Sequence, residues 1–157
     1  MSSAATSTTE AKAKQFLSKA VGTAQVGVTP APAPELNGLL LQLPTAPQCY
    51  LVLNGYRCWI PDTTTFNNLF LPTAKIIFDI GIGAISEGDP LTSGACLARG
   101  NSSDQTVYLV TNGVKMGIPS MTVFNDYQFN PATVQTVPQV VIDFLPTGPI
   151  VQGPQTS

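Results

Sequence analysis

The chain has 157 residues, with seven Lys and Arg against nine Asp and Glu, a net charge of −2, and no histidine. Cations this scattered, with no basic run, argue against a surface that neutralises nucleic-acid phosphates. The missing imidazole removes Ser-His-Asp and Cys-His nucleophile systems, His-ligated zinc and the usual general base near neutral pH.

The length suits one domain, able to bury about 70% of the surface that its unfolded form exposes. The N-terminus shows no basic stretch leading into an apolar segment. The expectation is therefore a soluble protein made without Sec export, either cytoplasmic or secreted by another route. The apolar runs near residues 39–43 and 76–85 fall short of the roughly 20 residues that span a bilayer.

Residues 1–9 are mostly Ser, Thr and Ala. Ser7-Thr8-Thr9-Glu10 then fits a capping box, with Ser7 as N-cap and Glu10 reaching back. A helix to about Val21 follows, placing Ala13, Phe16, Leu17, Ala20 and Val21 on one stripe, before Gly22 stops it. So short a helix needs a surface to dock on, in its own chain or in another protomer. Homo-oligomerisation through residues 10–22 is accordingly expected. The Pro/Ala run over 26–35 reads as a stiff, extended linker between this arm, residues 1–25, and a single β domain over 36–157.

The domain states one phrase twice. YLVLNGYRCWIPDTTTFN, beginning at Tyr50, returns at Tyr108 as YLVTNGVKMGIPSMTVFN, with ten of eighteen positions identical and Arg57 answered by Lys115. Duplication at this length predicts a supersecondary unit copied in tandem, as repeat 1 (36–93) and repeat 2 (94–152). Asn-Gly between apolar, β-branched runs predicts a type I′ hairpin in each copy. Around Asn54-Gly55, Leu53 should pair with Tyr56, Val52 with Arg57, Leu51 with Cys58 and Tyr50 with Trp59.

One face is then Cys49, Leu51, Leu53, Tyr56, Cys58 and Ile60, assigned to the core. The other is Tyr50, Val52, Arg57 and Trp59, answered by Tyr108, Val110, Lys115 and Gly117, and is left for something outside. Before each hairpin a strand begins with Gly, GLLLQL (38–43) and GACLAR (94–99). After each, Asp62 or Ser120 stands as N-cap of a short helix from which Phe66 and Phe124 plug the core. A further apolar strand follows, with Pro138 marking copy two as unsuited to a central position. The fold class expected is mainly β: two tandem pseudo-symmetric repeats of strand, Asn-Gly hairpin, short helix and strand, forming a sandwich or barrel-like domain with an N-terminal helical arm.

The phrase Tyr-Leu-Val-x-Asn-Gly-x-[Lys/Arg]-x-x-Ile-Pro, then Thr-x-Phe, resembles short tandem repeats of secreted and cell-surface bacterial proteins, some beside hydrolase domains. The resemblance covers roughly residues 36–152 and implies a non-catalytic accessory or binding role. Two features depart from it, since no export signal is visible and no hydrolase domain accompanies the repeats.

Three readings of function follow. Trp59, Tyr50, Tyr56 and Arg57, with Asn54, Asp62 and Asn68 near in sequence and Tyr108 and Lys115 in the second copy, could form a lectin-like platform for a glycan or cell-surface ligand. There the indole would stack on a pyranose face, while polar groups bond its hydroxyls; the competing reading has Trp59 covering a core face or filling a subunit interface. A self-assembling structural or scaffold subunit is the second class. A carboxylate-dependent hydrolase is the third, although none of Asp79, Glu87, Asp89, Asp104, Asp126 and Asp143 pairs at a telling spacing. No cofactor or metal is expected, and no D-x-D-x-D loop offers a calcium site. Cys49, Cys58 and Cys96 read as buried free thiols, with a disulfide as the alternative.

Overall fold

A computed structural model describes residues 29–156. The helix expected over residues 10–21, and its role in oligomerisation, lie outside the described residues. Among the described residues the chain is mainly β, with two four-stranded mixed sheets and three short α-helices. Each sheet is open, so the barrel-like alternative does not hold. Among its described residues, unit 1 comprises 29–59, Ile76–Asp89 and 154–156; unit 2 comprises Ile60–Lys75 and Pro90–Gly153.

Unit 1 is built on β1 (Leu40–Gln42), β2 (Cys49–Leu53), β3 (Tyr56–Ile60) and β4 (Ile76–Phe78), in the order β3-β2-β1-β4. Strand β1 pairs antiparallel with β2 and parallel with β4. Asn54 (φ 50°) and Gly55 (φ 91°) form the tight turn between β2 and β3, the two positive φ values that an Asn-Gly pair supplies cheaply. Gly55 N donates to the Oδ1 of buried Asn37, 2.6 Å away, which ties the turn to the strand entering β1.

The Pro/Ala run, described from residue 29, is part of the unit. Ala31 bridges Ile85 in parallel, Ala33 is fully buried, and Pro34–Leu36 forms a 3-10 turn. With Leu36, Leu41, Val52, Ile77, Ile82 and Ile85, Ala33 makes one apolar cluster.

Unit 2 uses β5 (Cys96–Gly100), β6 (Tyr108–Thr111), β7 (Val114–Gly117) and β8 (Gln135–Val137), ordered β7-β6-β5-β8. The β6–β7 register is Tyr108 with Gly117, Leu109 with Met116, Val110 with Lys115 and Thr111 with Val114, which is the pairing that the Asn112-Gly113 turn dictates. Strand β8 is an edge strand and stops at Val137, where Pro138 has no N–H to give a ladder.

Helices α1 (Thr63–Leu69) and α2 (Met121–Asp126) follow the hairpins and begin at their expected caps. Thr65 N donates to Asp62 Oδ1 at 2.7 Å, and Val123 N to Ser120 Oγ at 3.2 Å. Helix α1, though it follows the first hairpin, belongs to unit 2. There Gly94 N donates to its Thr65 hydroxyl and its Asn68 amide to Ala95 O. The unit's core is aromatic, with Phe70, Phe124, Phe129 and Tyr127 buried and their rings 5.3–5.7 Å apart along the chain of contacts through Phe129. A third helix, α3 (Gln139–Phe144), follows β8 directly.

Candidate functional site

The sequence placed Tyr50, Val52, Arg57 and Trp59 on a face turned away from the core. That assignment is corrected for most of it. Val52 is fully buried, and Tyr50 packs against the unit 1 cluster. The reason lies in the crossover. After β4 the chain turns through a 3-10 segment, Ile80–Ala84, and sets Ile82 and Ile85 in that same cluster. The opposite face is buried too, at Leu51, Leu53, Cys58 and Ile60, so apolar residues line both sides of the hairpin.

The shared tyrosine and cation therefore face inward work. The Arg57 guanidinium stands 5.0 Å from the Tyr50 ring centroid, and its Nε donates to Ile85 O at 2.9 Å. Main-chain bonds fix the geometry: Arg57 N donates to Ser86 O, and Gly88 N to Arg57 O, each at 3.0 Å. Glu87 approaches the guanidinium at 3.7 Å but is largely exposed, and so contributes little.

Unit 2 has a matching device. Lys115 Nζ lies 5.4 Å from the Tyr108 ring and donates to Ile142 O at 2.7 Å, while Lys115 N donates to Pro146 O and Gly148 N to Lys115 O. In each unit a cation braced on a tyrosine clamps the carbonyl of the returning chain.

Trp59 keeps 38% of its surface exposed and Tyr56 42%. Three positions apart on one strand, they point to opposite sides and do not form one platform. Asn54 serves the turn through its backbone. Asp62 and Asn68 belong to unit 2, where Asp62 caps α1 and accepts the Ser93 hydroxyl at 2.5 Å. That hydroxyl, and then the Thr65 N–H, hold the Asp62 carboxyl below the usual carboxylate range. What remains of the sequence-derived site is the indole with the rim of the Arg57–Glu87 pair.

Sequence reasoning missed a cleft of about 320 Å³ in unit 2, lined by Asp104, Thr106, Ile118, Ser120, Met121 and Phe124. Its carboxylate is already engaged, since Asp104 Oδ1 accepts from both the N–H and the hydroxyl of Thr106.

The three cysteines are free. Burial pushes the Cys49 and Cys58 thiols up to about 11, with the Asp89 charge adding to the rise at Cys58, and burial raises Cys96 as well. Such thiols stay protonated near neutral pH and are poor nucleophiles. Among the described residues, no group of three or more His, Cys, Asp or Glu is placed to hold a metal ion, and no helix is long and apolar enough to cross a membrane. The fold and these sites define a mainly β chain of two clamped, open sheets. No protein-family model, curated protein or solved structure matches it.

Proposed function

We propose that the chain is a non-catalytic scaffold module, two pseudo-symmetric copies of one β-unit, that self-associates through helix α3. One observation carries this reading. Helix α3 buries only Ile142 and turns Val140 (71% exposed), Val141 (45%) and Phe144 (87%) outward. Apolar side chains gathered on one short helix, rather than scattered singly, mark a surface that gains by leaving water, at about 25 cal/mol per Å² covered. The residues that the two copies share give no competing reason for their pattern, because the tyrosine–cation pairs are used inside each unit.

Light scattering over a hundredfold range of concentration tests the proposal. The wild type should gain mass with concentration, and Val140→Asp should remain monomeric. A wild type that stays monomeric at millimolar concentration rejects it.

A glycan-binding role is the second reading, favoured by the exposed face of Trp59 beside Arg57. A glycan array run on wild type and Trp59→Ala separates the two. Binding that survives loss of the indole would remove that site.

A further inference from the structure

The two clamps set the units in register and expose a difference between them. Ser86–Gly88 stands to Arg57 as Pro146–Gly148 stands to Lys115, so Ala84 and Ile85 correspond to Phe144 and Leu145. In unit 1 an extended strand covers that edge. Ala31 N donates to Ala84 O at 3.1 Å, Ser86 N to Ala31 O at 3.0 Å, and Ala33 N to Gly55 O at 2.8 Å. Pro32 and Pro34 close over the turn, within 3.4–3.7 Å of where a Gly55 side chain would begin. Ile85 is left with no exposed surface.

In unit 2 the same place is open among the described residues. Gly113, the counterpart of Gly55, has nothing among the described residues within 4 Å of that position. Leu145 is only half-buried and Phe144 is 87% exposed. The topology explains the gap. Ser86–Gly88, the chain just upstream of unit 2, is hydrogen-bonded to Arg57 in unit 1 and does not cover the second edge.

We propose that this edge, Gly113 with Phe144 and Leu145, is a binding slot for an extended peptide with alternating prolines, supplied by another protein. The chemistry is read from the strand that fills the matching slot, Thr29-Pro30-Ala31-Pro32-Ala33. Proline at alternate positions pre-sets the extended backbone and lowers the ordering cost, while the residues between keep an N–H for the edge. Pro146, with no N–H, stands where Ser86 donates in unit 1, so the slot keeps the Phe144 and Gly113 carbonyls as acceptors, one main-chain bond fewer than unit 1, and offers more apolar contact through the Phe144 ring. A second copy is a poor source, because its own Thr29–Ala33 strand would have to leave a filled slot for one with fewer bonds. The proposal goes beyond self-association and needs no second copy.

The test is a titration of ¹⁵N-labelled Val140→Asp protein with the synthetic peptide Val-Thr-Pro-Ala-Pro-Ala-Pro-Glu, followed by amide shifts. Shifts are expected at Gly113, Lys115, Phe144 and Leu145. Phe144→Ala, at an exposed position that should not disturb folding, is expected to weaken binding at least tenfold, and so is replacing the peptide prolines by alanine. No shift at millimolar peptide, shifts confined to Gly55 and Ala84–Ser86, or equal binding of the proline-free peptide would each overturn the proposal. Shifts at Gly113 and Leu145 that appear when the wild-type protein is concentrated without peptide would overturn it as well, by making a second copy the occupant.

Discussion

Replacing Arg57 with methionine isolates the clamp. The substitution keeps a long apolar stem against Tyr50 but removes the guanidinium. It deletes the Nε bond to Ile85 O, 2.9 Å long, and the cation 5.0 Å from the tyrosine centroid. Ile85 is fully buried, so its carbonyl loses a partner where water is scarce, a cost of about 1–3 kcal/mol. The cation–π contact adds about 0.5–1 kcal/mol. The ion pair with Glu87 adds little, because that carboxylate is mostly exposed. A loss of about 2–3 kcal/mol follows. With a urea slope of about 1.5 kcal/mol/M, the unfolding midpoint should fall by about 1.3–2 M, whereas Glu87→Gln should leave it almost unchanged. An Arg57→Met midpoint within 0.3 M of wild type would refute the clamp and return the tyrosine–cation face to the candidates for ligand binding.

The remaining expectations are quickly tested. Gly148→Ala would set a Cβ 2.7 Å from Val114 Cγ2 and 3.2 Å from Val114 Cβ, and should cost about 1–3 kcal/mol by urea unfolding. Gly117→Ala meets only the Tyr108 ring, at 3.7 Å, and should be tolerated in the same assay. At pH 8 the native thiols, with Cys49 and Cys58 near 11, should react slowly with a thiol reagent, and all three should react fast once urea unfolds the chain. Rapid native labelling of Cys58, the buried one of the three, would contradict its burial. The Asp62 carboxyl is held below its unfolded value, so the stability that it contributes is present above about pH 4 and is lost as pH falls through the folded pKa. Urea midpoints measured from pH 5 to pH 2 should therefore fall more for wild type than for Asp62→Asn, and parallel curves would reject the Ser93–Asp62 bond.

Local chemistry made much of the fold legible. Asn54-Gly55 and Asn112-Gly113 dictate turns by positive φ alone, Asp62 and Ser120 announce helix starts, and Pro138 denies β8 a central position. The same kind of reasoning misplaced a face of the hairpin. Arg57 and Lys115 look solvent-seeking one residue at a time, but a guanidinium or an ammonium settles half-buried against the fold when an aromatic ring and a carbonyl receive it.

By itself, then, the sequence determined the hairpins, the strands before them and the helices after them, because turns, caps and strand alternation depend on residues a few places apart. The single apolar strand expected next is instead a short strand followed by the 3-10 turn Ile80–Ala84 in one copy and by helix α3 in the other. Tertiary structure decided what covers each element: the crossover that buries Val52, the passage of α1 into unit 2, and the strand at Ala31 that fills one edge and has no counterpart at Leu145 among the described residues. Those choices depend on contacts between residues as far apart in the chain as Ala31 and Ser86. No local pattern encodes such contacts, since their stability comes from which apolar surfaces meet once the chain has closed.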